Sequence, residues 1–142
     1  MRVSKNFTIQ EFVPPEIYEK WGNRSIWFIR PQIIELAQFY RDHFDKPVTI
    51  NNWATGGGFN YRGFRPPGCT VGAKLSQHRF GNGFDCSVSG LTADEARAEI
   101  MANAADFMDA GLTTLESGQF AKTWIHSDCR TTGMDSILIV GN

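Results

Sequence analysis

The chain holds three histidines, His43, His78 and His126, and two of them stand in surroundings that could do chemistry. In Ser76-Gln-His-Arg-Phe-Gly-Asn-Gly-Phe-Asp85 a histidine and an aspartate lie seven residues apart, with Gly81 and Gly83 between them. Glycines at those places let the loop fold back, so that His78 meets the end of the following strand at Asp85. In Trp124-Ile-His-Ser-Asp128 a histidine sits inside a strand-like segment. Alternation there is read as placing Ser127 and Trp124 on one side and His126 with Asp128 on the other. Two imidazoles and a carboxylate make the ligand set of an open zinc site, with three protein ligands at roughly 2.0–2.2 Å and a fourth position left to water. Zinc lowers the pKa of such a water to about 7, and a nearby carboxylate can take its proton. The plainer reading of the same residues is a His78 that caps a glycine turn, an Asp85 that caps a backbone N–H, and a His126 satisfied within a sheet. His43, beside Asp42 and Asp45, reads as a surface residue.

The elements that must carry these groups follow from pattern. A helix is expected over 31–44, where Pro31 suits the first position and Ile33, Leu36, Tyr40 and Phe44 recur at helical spacing. Residues 47–51 and 83–88 read as strands. A second helix is expected over 93–109, opened by Thr92 and Glu95 as a capping box, with Ala96, Ile100, Ala104 and Phe107 as its buried stripe and Gly111 as its stop. Three strand-like pieces follow, 113–116, 123–127 and 136–140, the first two joined as a hairpin. Residues 5–24 form an N-terminal segment that Phe7, Phe12 and Trp21 could dock on the body. Residues 53–75 are rich in glycine and without periodicity. A loop of that length in a small domain is either disordered or functional, and Trp53, Phe59, Tyr61 and Phe64 argue against simple disorder. The expected architecture is α+β, a small, mostly antiparallel sheet with two main helices packed against it.

Composition narrows the partners. A chain of 142 residues is expected to form a single domain over 1–142, burying roughly 68% of its unfolded surface. A formal net charge of −1 offers no field to hold nucleic acid or an anionic membrane. No apolar run approaches the length of a membrane span. The start, Met1-Arg-Val-Ser-Lys-Asn6, lacks the apolar core of a signal peptide. Cys69, Cys86 and Cys129 are an odd number without paired spacing, so no disulfide framework is expected. Alternation points Cys86 away from Asp85 and Cys129 away from Asp128, which makes both small buried apolar residues rather than ligands. A monomer is the default expectation.

The stretch 76–85 resembles the Ser-x-His-x-x-Gly-x-Ala-x-Asp motif of zinc D-alanyl-D-alanine carboxypeptidases. That group includes cell-wall dipeptidases and phage endolysins, and its fold is shared with hedgehog signalling domains. Ser76, His78, Gly81 and Asp85 match, and Gly83 replaces the motif's small Ala. Trp124-x-His126-x-Asp128 is similar to the family's second signature, in which the His is the third zinc ligand. Gly63-Phe-Arg65-Pro-Pro is similar to a Gly-Tyr-Arg-Ser-Pro segment whose Arg meets the substrate. The opening Asn6-Phe-Thr-Ile-Gln-Glu-Phe12 resembles the starts of phage-borne and bacterial members, so the likeness covers nearly the whole chain. It implies one Zn2+ per chain, held by His78, Asp85 and His126. It also implies hydrolysis of a peptide bond in peptidoglycan stem peptides, as a D-Ala-D-Ala carboxypeptidase or an L-Ala-D-Glu-type endopeptidase.

One departure from the family pattern matters. Many relatives carry a catalytic Glu or Asp three residues before the last His, and Thr123 stands there in this chain. Glu116 is the best replacement: with the hairpin turn centred near Phe120, it comes across from about 124–125. Its plainer role is a hairpin-edge carboxylate. Asp128 is the second candidate, as base or as the group that orients a ligand His. Arg65, and less so Arg62, could grip a substrate carboxylate, or be solvated loop charges. Ser76 could bond substrate or the ligand loop, or be a turn serine. Trp124, Trp53 and Tyr61 could wall a peptide groove, or pack in the core. The lack of a signal peptide and of a wall-binding domain fits a phage or prophage product, held in the host cytoplasm before release to act on the cell wall. Two rivals stay open: an inactive zinc-containing binding or virion structural module, which Thr123 keeps alive, and a metal-free peptide-binding domain.

Overall fold

The structure is a computed structural model and describes residues 1–141. Two of its helices, α1 (Pro15–Trp21) and α2 (Pro31–Phe44), begin on proline, whose missing N–H is of no consequence at a first helical position. α2 has the expected bounds and buries Ile33, Leu36, Ala37, Tyr40 and Phe44 along one stripe. The second expected helix is two, α3 (Ala93–Ala102) and α4 (Ala104–Asp109), parted at Asn103. The Asn103 amide donates to the Glu99 carbonyl at 2.9 Å and to the Glu99 carboxylate at 3.0 Å, a side chain competing with the helix for its own acceptors. Of the expected capping box the structure carries the Thr92 half, with the Glu95 N–H donating to Thr92 Oγ1 at 3.1 Å.

The five strands are β1 (Val48–Thr49), β2 (Gly83–Val88), β3 (Thr114–Glu116), β4 (Ile125–Asp128) and β5 (Leu138–Val140). They form one sheet in the order β1-β2-β4-β3-β5. β1 is shorter than expected because it meets only the end of β2, Val48 opposite Val88 and Thr49 opposite Ser87. The pairings β1–β2, β2–β4 and β3–β4 are antiparallel, and β3–β5 is parallel, so this α+β fold is built on a mixed sheet. Among the described residues no helix is long and apolar enough to cross a membrane.

Period-two alternation splits the sheet into a core face and a site face. On the first, Phe84, Cys86, Leu115 and Ile125 are fully buried with Tyr40, Phe107 and Ile100 from the helices. Ser127 belongs to this face too, its Oγ 2.6 Å from the Tyr40 hydroxyl. His43 is no free surface residue: its Nε2 lies 3.0 Å from Glu99 Oε1, and its ring packs on Phe107 with centroids 4.8 Å apart. It ties α2 to α3. At the N-terminus Phe7 and Phe12 are buried as expected, while Trp21 is half-buried and packs edge-on against Phe28.

The glycine-rich stretch takes a defined path. A short 3₁₀ turn spans Trp53–Thr55, and the Asp85 N–H donates to the Arg62 carbonyl at 2.7 Å. The Phe64 N–H donates to the Phe12 carbonyl at 2.7 Å, and the Arg65 N–H to the His78 carbonyl at 3.2 Å. Gly63 permits this approach, since a Cβ there would overlap the Phe12 carbonyl. The loop is thereby pinned between the N-terminal segment and the residues that carry the site.

Candidate metal centre

His78 lies in a 3₁₀ turn, Gln77–Phe80, whose first N–H groups are capped by Ser76: its Oγ accepts from the His78 N–H at 3.4 Å. Asp85 lies on β2 and His126 directly opposite it on β4. Because the Asp85 N–H turns outward to Arg62, this is a pair without mutual backbone hydrogen bonds, the kind in which facing side chains stand closest. His78 Nε2 is 3.2 Å from Asp85 Oδ1 and 3.2 Å from His126 Nδ1, and His126 Nδ1 is 2.9 Å from Asp85 Oδ1. All three side chains are buried, and the three atoms form a compact triangle able to hold a metal ion.

The donor chemistry fits a cation. His78 Nδ1 lies 2.8 Å from the Gly63 carbonyl, which can only accept, so that nitrogen carries the proton and Nε2 presents a lone pair. Asp85 Oδ1 presents another. His126 Nε2 lies 2.9 Å from Asp128 Oδ2, which leaves Nδ1 for the triangle. Three donors at metal bond lengths of roughly 2.0–2.2 Å stand about 3.3–3.6 Å apart around a tetrahedral ion and about 2.8–3.1 Å apart around an octahedral one. The observed edges, 2.9, 3.2 and 3.2 Å, lie at or just above the octahedral spacing and just short of the tetrahedral one.

Burial and neighbouring charge set the protonation of each group. Burial lowers the His78 pKa, and the attraction of Asp85 offsets this only in part. Burial acts the other way on Asp85, yet the two imidazoles beside it hold its carboxyl well below the ordinary range. Burial also opposes charge on His126, but hydrogen bonds to Asp128 and Asp85 outweigh it and raise that imidazole to about 9. Asp128 is lowered despite burial by His126 and Arg130.

The triangle opens on a cavity of about 430 Å³ whose wall includes Arg65, Ser76, Glu116, Trp124 and Arg130. Glu116 is half-buried. The β3–β4 register, Thr114 opposite Asp128 and Leu115 opposite Ser127, would, carried one residue further, bring Glu116 level with His126 rather than with 124–125; Glu116 itself pairs with Val140 of β5. Thr123 is exposed and lies off this wall. Trp124, two residues from His126, shares its side and lines the cavity; of Trp124 and Ser127, Ser127 alone turns to the core, contrary to their expected pairing.

Arg65 is buried and bonded within the protein: Nη2 donates to Asp85 Oδ2 at 3.0 Å and Nε to the Tyr61 carbonyl at 2.8 Å. It therefore holds the Asp85 oxygen that faces away from the triangle. Arg62 is spent elsewhere, on Ser87 Oγ at 2.9 Å and over the Phe59 ring. Asp128 is fully buried, enclosed by His126 and Arg130, and lies off the cavity wall. That is the place of an orienting group. Trp53 donates its indole N–H to the Val13 carbonyl, and Tyr61 its hydroxyl to Glu16, so neither walls this cavity. Cys86 is buried in the core and Cys129 half-buried, both outside the triangle, with burial raising both thiols. Sequence reasoning missed Arg130 and the Gly63 carbonyl. Arg130 could have been found from its spacing, two residues beyond Asp128 on an extended chain. Compared with known proteins, the chain matches no family model, no curated protein and no solved structure.

Proposed function

We propose that this protein is a zinc-dependent peptidase acting on peptidoglycan stem peptides. The observation that carries the reading is the convergence of His78 Nε2, Asp85 Oδ1 and His126 Nδ1 on one point of a cavity whose wall also bears a free carboxylate, Glu116. His78, Asp85 and His126 would hold the ion. When bound, zinc would supply Lewis acidity for the scissile carbonyl and activation of the attacking water. Glu116 would serve as general base for the attacking water and as general acid toward the leaving amine. Arg65 holds Asp85 and presents the rest of its guanidinium to a substrate carboxylate. Trp124 and Ser76 line the path of the peptide, and Asp128 keeps His126 in register.

The test is hydrolysis of purified stem peptides by the zinc-loaded protein, alone and with chelator, beside Glu116→Gln. The expected outcome is cleavage that needs metal, and a fall in kcat of about 10²–10⁴-fold in the variant with zinc still bound. A zinc-loaded wild type that binds stem peptides and cuts none of them would favour the other reading, a zinc-containing binding or virion module. Thr123, exposed where many members of the resembling family carry the catalytic carboxylate, is the observation on that side.

A further inference from the structure

We propose that Arg130 is a positioning residue for the metal centre: its guanidinium fixes the Asp128 carboxylate, and through it aims His126 Nδ1 at the ion. This inference rests on the reading of His78, Asp85 and His126 as metal ligands.

Arg130 grips Asp128 three times. Its Nε donates to Oδ1 at 2.9 Å, its Nη2 to Oδ2 at 2.6 Å, and its backbone N–H to Oδ1 at 3.2 Å. A planar fork on a planar carboxylate sets the rotation of the carboxylate as well as its place. The same Oδ2 meets His126 Nε2 at 2.9 Å. A carboxylate can only accept, so Asp128 holds a proton on Nε2, and when a cation displaces the proton shared between Nδ1 and Asp85 the Nδ1 lone pair is already aimed at it. The far side of the ring is equally confined. A Cβ on Gly83 would stand 3.3 Å from His126 Cε1, so the backbone of β2 already lies against it. Ring tilt is thus set by β2 on one side and by the Arg130–Asp128 pair on the other. Asp128 is fully buried, whereas Arg130 reaches the cavity wall. A lysine would preserve the charge and lose the fork.

The experiment measures zinc affinity by competition with a chromophoric chelator for wild type, Arg130→Ala and Arg130→Lys, and records the visible spectrum of each with cobalt(II). The expected result is a loss of about 10–100-fold in Arg130→Ala, a partial recovery in Arg130→Lys, and cobalt bands displaced in both variants. Wild-type affinity in Arg130→Ala would overturn the proposal, as would full recovery in the lysine variant or a loss with an unchanged cobalt spectrum. Should the alanine variant not fold, the lysine variant decides alone, and wild-type affinity there overturns the proposal. A wild type that takes up neither ion would fail in a different way, removing the metal centre itself and this inference with it.

Discussion

His78 Nε2 and His126 Nδ1 face each other at 3.2 Å, and in the metal-free protein only one of them carries a proton. The His78 proton is held on Nδ1 by the Gly63 carbonyl. His126 instead has an acidic partner at each nitrogen, Asp85 at Nδ1 and Asp128 at Nε2, both at 2.9 Å. It is therefore an imidazolium whose Nδ1 proton points into the triangle of acceptors. A proton occupies the place where a metal ion would sit, and the two compete.

Metal binding should accordingly release protons. With His126 at about 9 in the metal-free protein, binding near neutral pH releases about one proton per ion, and affinity rises about tenfold per pH unit until about 9. Calorimetry in buffers of differing ionisation enthalpy measures the proton count. An affinity independent of pH over this range would contradict the arrangement.

The metal-free protein should lose stability on the alkaline side. His126 is raised from 6.5 to about 9, so its contribution is fully present below 6.5 and is lost as pH rises through about 9. Asp85 and Asp128 are lowered from 3.8; their contribution is present above that value and is lost as pH falls through their depressed folded pKa. His78 is lowered from 6.5, so protonating it on the acid side opposes folding. Thermal melts should peak between these limits and fall toward about pH 10. Saturating zinc should raise the melting temperature and remove the alkaline fall, because the ion binds the folded state and replaces the proton.

Gly63→Ala should act at a distance from any charge. The new methyl meets the Phe12 carbonyl, so the loop must retreat and draw the Gly63 carbonyl away from His78 Nδ1. A loss of about 1–3 kcal/mol is expected in urea unfolding, together with weaker metal affinity. An affinity equal to wild type would mean that the carbonyl does not position His78.

Tyr40→Phe separates the two faces of β4. It strips the partner from the buried Ser127 hydroxyl, at about 1–3 kcal/mol, while zinc affinity stays unchanged because Ser127 and His126 point to opposite sides. Adding Ser127→Ala should recover part of the stability, since no orphaned hydroxyl remains. A drop in zinc affinity in Tyr40→Phe would show that the core face does reach the site.

Much of the local structure was legible in the chain. The bounds of α2 and β2 follow from a proline start, helical spacing and glycine punctuation, and all three triangle residues were named from two short motifs. What eluded pattern reading depends on side-chain contacts, some of them local. At Asn103 the helix parts where the side-chain amide joins its own backbone N–H on the Glu99 carbonyl. His43 reads as polar and exposed beside two aspartates, and becomes a packing residue only because α3 brings Glu99 to it. Glu116 was placed opposite 124–125 by assuming a turn about Phe120; Ser117 instead gathers the turn, accepting from the N–H groups of Gln119, Phe120 and Ala121. The β3–β4 register, run on past Leu115 and Ser127, points Glu116 toward His126.

Residue identity and spacing along the chain determined which groups could meet: side-chain chemistry is local, and periods of 3.6 and 2 assign faces before any partner is known. Tertiary structure alone decided which atoms meet and in what state. The tautomer of His78 is chosen by a carbonyl in the 53–75 loop, and the charge on His126 by two aspartates. The orientation of Asp85 is set by Arg65, and that of Asp128 by Arg130. Those choices arise from hydrogen bonds that act over about 3 Å, most of them between segments far apart in sequence (His78 with Gly63, His126 with Asp85, Asp85 with Arg65), and such contacts leave no periodic trace in the chain.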